Sequence, residues 1–414
     1  MDTAQTSESV PASAVRRIIA LYYKTCVRLN YVMPSLADYC RQHEGWLIDT
    51  IDALVRLESP TDTKAAVDRC GSELARRLTA LGGRTHFIPQ ARAGNHLRVE
   101  FGGSAAHGQV LLLGHFDTVW PVGQLERMPA VREGDELRGP GVLDMKAGIA
   151  LGMLAVRAVT ATSTLGDARI VMLWTTDEET GSGTSRSILE DEARRSKAVL
   201  VLEPALPGGV LKTRRKGCGQ YEIVVHGEPA HAGVDPGKGI SAIRELARQI
   251  IAVEALQDLT RGISVNVGIV TGGSRPNVVA AEARAIVDVR APSLADADRV
   301  DAALRSLTPQ IAGARIDVRG GFERPPMERT RGVAALFAHA QDVGAALGQS
   351  IAEGSTGGGS DGNFCAALGV PTLDGLGAIG DGAHALHEHV RVSALVPRAT
   401  LLAALLSRLT LSSQ

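Results

Sequence analysis

Four short runs of apolar residues do most to limit what this chain can fold into. They are Val110-Leu111-Leu112-Leu113, Ile170-Val171-Met172-Leu173-Trp174, Val199-Leu200-Val201-Leu202, and a weaker run around Pro371-Thr372-Leu373. A strand that is apolar at every position has to be buried on both faces, as in a parallel sheet covered by helices. Met145 to Val159, rich in Ala, Leu and Met, reads as a buried crossover helix. Further helices are predicted over Ser35 to Leu57, over 64–82 where Gly82-Gly83 closes the turn, near 331–347 and near 393–409. The pattern is α/β: an open mixed sheet with helices on both faces.

From about residue 213 the texture changes. Strands are expected at Tyr221 to Val225, Ile263 to Val270, Ala283 to Val289 and Ala314 to Val318, with helices at Ile240 to Leu256 and Asp296 to Ile311. The second strand alternates as a half-exposed strand should. The order β-α-β-β-α-β is the ferredoxin-like unit. It reads as an insertion over 213–325 that splits a first domain into 40–212 and 326–414, behind an N-terminal extension, 1–39. The chain returns through Pro325-Pro326.

Bulk properties exclude several classes. The net charge of -1 shows no basic excess for nucleic acid. Aromatics are 3%, so the core must be mostly aliphatic. The five cysteines, Cys26, Cys40, Cys70, Cys218 and Cys365, are odd in number and form no C-x-x-C pair, which argues against a disulfide framework or zinc ribbon. A reduced, cytoplasmic setting is expected, and no membrane span is read from the sequence. Ile18 to Tyr23 follows Arg16-Arg17, but Lys24 and Arg28 interrupt it and no small-residue cleavage site follows. Residues 1–32 carry no motif, and a start at Met33 is an alternative reading.

In an open α/β sheet, ligands bind beyond the carboxyl ends of the strands. After the first apolar run come His115 and Asp117; after the second, Asp177, Glu178 and Glu179; after the third, Glu203. Asp144 lies between the first two runs. Every end carries a metal-capable group. Carboxylates gathered without a cation would repel one another and raise their own pKa values. Two divalent cations about 3.5–4 Å apart would remove that cost and form the clamp of two-metal hydrolases.

The blocks Gly114-His115-Phe116-Asp117-Thr118-Val119, Gly141-Val142-Leu143-Asp144-Met145-Lys146, Thr176-Asp177-Glu178-Glu179, Leu202-Glu203-Pro204 and Gly382-Ala383-His384 resemble, in order, those of the two-zinc metallopeptidases. That family includes aminoacylases, acetylornithine deacetylase and succinyl-diaminopimelate desuccinylase. The folate-cleaving glutamate carboxypeptidase branch is the most similar, over roughly 45–410. The resemblance implies a zinc-exopeptidase-like fold and two zinc ions per chain, with cobalt indistinguishable by ligand type. His115 and Glu203 would hold one ion, Glu179 and His384 the other, and Asp144 would bridge them, with a cis peptide after it. His387 and His389 compete with His384, which the spacing to Glu388 favours. Glu178 would be the general base and Asp117 would orient His115.

The resemblance extends to the insertion, which would dimerise and close over a small carboxylate substrate. His231, in Pro229-Ala230-His231-Ala232-Gly233, would stabilise the oxyanion across a homodimer. Asn277 and Arg290 would hold the substrate carboxylate. Gly359 and Ser360, in Gly357-Gly358-Gly359-Ser360-Asp361, would line the same pocket. Arg324 and Lys212 are the basic groups that would read a glutamate side chain, although Val210 and Lys212 stand where that branch has a lysine and a serine. Arg214-Arg215-Lys216 reads as a solvated hinge, with attraction of anionic substrates as the alternative, and Cys218 and Cys365 as buried thiols. The expected reaction is hydrolysis of an amide beside a free carboxylate, most simply release of a C-terminal amino acid. A deacylase for N-acyl or diamino acids is the alternative, and a non-catalytic binding protein on the same fold the remote one.

Overall fold

The computed structural model describes residues 33 and 35–411; the readings made for residues 1–32 lie outside them. The main sheet has six strands in the order Arg84–Ile88, His96–Phe101, Ala168–Thr175, Ser104–His115, Ala198–Val201 and Thr372–Leu373. The four strands that contain the apolar runs are mutually parallel, and the first two are antiparallel additions at one edge. Those two were not expected, because neither His96–Phe101 nor Arg84–Ile88 is a continuous apolar run.

Alternation along the buried strands explains their composition. Val110, Leu112, Ile170, Met172, Trp174 and Leu200 face one core, shared with the helices Glu44–Val55, Ala147–Ala161 and Val392–Thr410. Leu111, Leu113, Val171, Leu173, Val199 and Val201 face the other, against Leu189, Ala193, Phe364 and Cys365. Both sides of each strand need apolar residues, each worth about 1.5–3 kcal/mol of burial. The helix Ala147–Ala161 lies close to the sheet because Gly148 has no side chain; a Cβ there would sit 2.1 Å from the Leu202 carbonyl oxygen. That approach brings the start of the helix, next to Asp144, beside the strand end that carries Glu203. Val392–Thr410 is the one helix among the described residues with the length and hydropathy of a membrane span, and Leu401, Leu402, Leu405 and Leu406 bury it in the first core.

A second sheet holds Ser264–Gly272, Glu282–Ala291, Gly217–His226 and Arg315–Arg324, in that order and all antiparallel. Ala242–Glu254 and Leu294–Arg305 cover one face, capped by the hydroxyls of Ser241 and Ser293. Tyr221, Ile223, Val225, Leu246, Val287, Val289 and Leu304 form its own core. The edge strand Ser264–Gly272 departs from simple alternation. A register shift between Val267 and Ile269 sets Ile269 opposite Ile286 and Val270 opposite Ala285, and both Ile269 and Val270 are exposed. The chain enters this unit after Leu211–Arg215 and leaves it at Met327, and Arg215 and Met327 exchange backbone hydrogen bonds of 3.0 Å in both directions.

Candidate active site

The parallel strands end on one rim. His115 is the last residue of its strand, Glu178 and Glu179 open a short turn after Thr175, and Glu203 follows Val201 by two. Asp144 sits in an irregular turn, Val142–Lys146, ahead of the crossover helix, and its peptide bond to Met145 is cis. His384 comes from the loop between Gly380–Asp381 and His389–Arg391 and takes a φ of 61°. The small sheet that frames this loop, completed by Val131–Glu133 and Glu136–Arg138, was not read from the sequence.

These groups converge on Asp144. Its Oδ1 lies 3.2 Å from His115 Nε2, and its Oδ2 lies 3.3 Å from His384 Nε2. On the first side Glu203 Oε1 is 3.7 Å from His115 Nε2; on the second Glu179 Oε2 is 3.2 Å from His384 Nε2. Donor atoms of His115, Asp144 and Glu179 all fall within 4.8 Å of one another. The other ring nitrogen of His115, Nδ1, faces the Asp117 carbonyl oxygen at 3.1 Å and its carboxylate at 3.3 Å. Asp117 is itself held by the Thr61 hydroxyl at 2.8 Å.

The protons report the crowding. Hydrogen bonds to Asp144 and then Glu179 raise His384 to about 10. Burial opposes charge on His115, but Asp117 and Asp144 hold its pKa well above the usual value. Burial, then Asp144, raises Glu203 to about 7. Burial raises Glu178 well above the carboxylate range against the pull of Arg324 and His115. Glu179 Oε1 is buried with no hydrogen-bond partner. Two imidazoles and two carboxylates arranged on either side of a shared carboxylate, with a buried oxygen left over, fit a pair of divalent cations.

Other expected residues lie elsewhere. Asp177 turns away from the cluster: one carboxylate oxygen accepts from the backbone N–H groups of Thr184 and Ser185 and from the Thr184 hydroxyl. Arg324 is buried against Glu178, 3.0 Å from its Oε1, and also donates to the Glu178 carbonyl, Ser182 and Asp361. Ser360 is buried, with its hydroxyl donating to Asp374 and accepting from the Gly362 N–H. A Cβ at Gly359 would meet Arg324 Cδ at 2.9 Å, so this glycine permits a close approach of the loop to that arginine. Burial, then Arg215, lowers the pKa of Lys212, which lies near Asp374 and Glu203.

The insertion's residues stand apart from the cluster. Arg290 pairs with Asp288 at 2.7 Å and lies against the Cys218 sulfur, which is half-buried rather than buried. His231 is exposed; its Nδ1 accepts from the N–H groups of Gly233 and Val234, both at 3.1 Å, which leaves Nε2 as the donor. Asn277 donates nothing to the rim; its carbonyl accepts from the Ala232 N–H.

Arg215 corrects the reading of 214–216 as a solvated hinge. It is 4% exposed, forks onto both Asp374 oxygens at 2.7 and 3.1 Å, binds the Gly358 and Gly359 carbonyls, and lies 3.5 Å from Glu203 Oε2. A run of three basic residues gave no sign of this, because burial of its middle member depends on Asp374, which lies 159 residues away.

The model of the peptidase family M20/M25/M40 matches residues 111–408. Carboxypeptidase G2 of Pseudomonas sp. (strain RS-16) is 29% identical over 373 residues, 86% of this chain and 88% of that one. Succinyl-diaminopimelate desuccinylase of Thioalkalivibrio sulfidiphilus is 27% identical over 390 residues, 87% and 98% of the two chains. The Bacillus subtilis YXEP protein, a dinuclear metal-binding peptidase, superposes with a TM-score of 0.67 at 15% identity, covering 89% of this chain and 99% of that one.

Proposed function

Because the chain belongs to the peptidase family M20/M25/M40, a family of metal-dependent hydrolases, we propose that it cleaves an amide bond beside a free carboxylate and releases a C-terminal amino acid. The observation that carries this is Asp144, whose two oxygens face two different histidines at 3.2 and 3.3 Å, each with its own acidic partner. His115, Glu203 and Asp144 would hold one zinc; His384, Glu179 and Asp144 would hold the other. When bound, such cations supply Lewis acidity toward the scissile carbonyl and make the attacking water easier to deprotonate.

The protein's own groups do the rest. Glu178 takes the proton from the attacking water and delivers it to the leaving amine. Arg324 holds the Glu178 carboxylate at 3.0 Å. Asp117 orients His115 through Nδ1. Arg290 and Asn277 clamp the substrate carboxylate when the insertion closes, and Arg290 exchanges Asp288 for substrate. His231, with its Nε2–H directed outward, serves the oxyanion of a neighbouring copy.

Dimerisation through the insertion is supported by its edge strand and adjoining helix. Ile269 is 59% exposed, Val270 is exposed on the opposite, helix-covered face together with Ile243, and the strand's outer backbone edge is unpaired within its sheet. An apolar, unpaired edge suits a second copy of itself.

The test is amino-acid release by the zinc-supplied protein from a panel of N-acyl amino acids, N-succinyl diamino acids and folate-type substrates. Glutamate released above all others supports the carboxypeptidase reading. Release of diamino acids moves the activity to the deacylase side. A protein with no metal and no turnover on any member sinks the reading.

A further inference from the structure

We infer that Glu388 is a positioning residue whose carboxylate holds the Asp144 turn in the register that lets one side chain face both His115 and His384. Glu388 is 1% exposed, and its two oxygens collect four N–H donors. Oε1 accepts from the backbone N–H of Leu143 at 2.8 Å and of Asp144 at 3.1 Å. Oε2 accepts from the Gly141 N–H at 3.0 Å and from Trp120 Nε1 at 2.9 Å.

Three of these donors belong to the turn that presents Asp144. That turn is irregular: Gly141 has φ 71°, and Asp144 itself is non-helical at φ −115°, ψ 90°. Its amides precede the regular helix and lack the carbonyl partners that a helix would give them. A buried carboxylate satisfies all three with charge-assisted bonds. The fourth donor, Trp120, lies three residues beyond Asp117 on the segment that follows His115. Glu388 in turn follows His384 by four residues. One acceptor-only group thus ties together the three chain segments that carry His115, Asp144 and His384.

The chemistry requires an acid here. A carboxylate is acceptor at both oxygens, whereas an amide would turn an N–H₂ toward N–H donors. Glu388→Gln keeps the shape and places a donor against either Leu143 and Asp144 or Gly141 and Trp120. The Asp144 turn then has to shift, and the shared carboxylate moves with it.

The inference rests on Asp144 as a shared ligand, and the experiment separates the two. Metal-free wild type, E388Q and W120F are titrated with Co2+ and followed by visible absorption, alongside kcat, KM and thermal midpoint. Wild type should take two equivalents; fewer than two sinks the two-cation reading and this inference with it. E388Q should weaken cobalt binding by at least about tenfold, alter the visible spectrum and lower kcat by a similar factor while KM stays within about twofold. W120F, which removes one donor of the four, should change the same quantities in the same direction and by less. A folded E388Q with wild-type cobalt affinity and spectrum overturns the inference, whatever its thermal midpoint. If E388Q does not fold, W120F decides: an unchanged cobalt spectrum overturns it and an altered one supports it.

Discussion

The rim of the parallel sheet and the face of the insertion were both expected to supply site residues, and they behave differently. His115, Asp144, Glu179, Glu203 and His384 form a linked chain of contacts of 3.2–3.7 Å centred on Asp144. His231, Asn277 and Arg290 make their contacts locally, with Gly233, Ala232 and Asp288. Sheet topology brings His115, Glu179 and Glu203 together, since parallel strands all end on one side, and Asp144 and His384 join them from a turn and from the loop framed by the small sheet. Nothing in a single chain forces the second group there, and the proposed clamp needs the insertion to close or a second copy to reach the rim.

The sharpest way to break that contrast is at its centre. Glu178→Ala should keep its metal and lose at least about a thousandfold in kcat; turnover near wild type would remove Glu178 as the base. The trans role of His231 comes next. His231→Ala should lose about a hundredfold, and mixing it with E178A under exchange should restore up to about a quarter of wild-type activity, because each mixed dimer holds one intact site. No recovery in a mixture shown to exchange would place His231 on its own chain's site or outside catalysis. Arg290→Ala should raise KM about 10–100-fold with little change in kcat, the size of a lost charge-assisted contact; an unchanged KM would take it out of the clamp.

The smallest effect concerns pH. His384 at about 10 in the metal-free protein holds its proton at neutral pH, so a cation has to displace it. Metal affinity should therefore rise with pH, by up to about tenfold per unit for one displaced proton, and binding should release protons. Calorimetry in buffers of different ionisation heat reads that count; a value of zero at pH 7 would contradict the crowding around Asp144.

How much of this was legible beforehand follows from what each feature depends on. The buried parallel strands were readable because doubly covered strands leave unbroken apolar runs, as Val110 to Leu113 shows. The rim residues were readable because strand ends and motif order mark them. The strands Arg84–Ile88, at the sheet edge, and His96–Phe101, next to it, were missed, since half-polar strands of five and six residues carry little signal. Glu388 and Arg215 were given no role at the site because buried charge is a property of partners distant in sequence: Glu388 bonds Asp144 across 244 residues and Arg215 bonds Asp374 across 159. Ser360 and Arg324 were read as substrate-binding residues, and their hydrogen bonds run to Asp374, Asp361 and Glu178.

The mutual hydrogen bonds between Arg215 and Met327 bear on how such a molecule can be rebuilt. Topologically that junction is a hairpin whose turn has been replaced by a whole folded unit with its own core. Since the two ends already touch, closing them with a short turn would cost little chain entropy. Cut at 216 and 326 and rejoined, the outer domain retains all five residues gathered at the rim, and loses Arg324 from Glu178 together with the residues assigned to the carboxylate clamp. The reverse graft is open as well, with a different reader that keeps an arginine at the place of Arg324 seated on the same two ends.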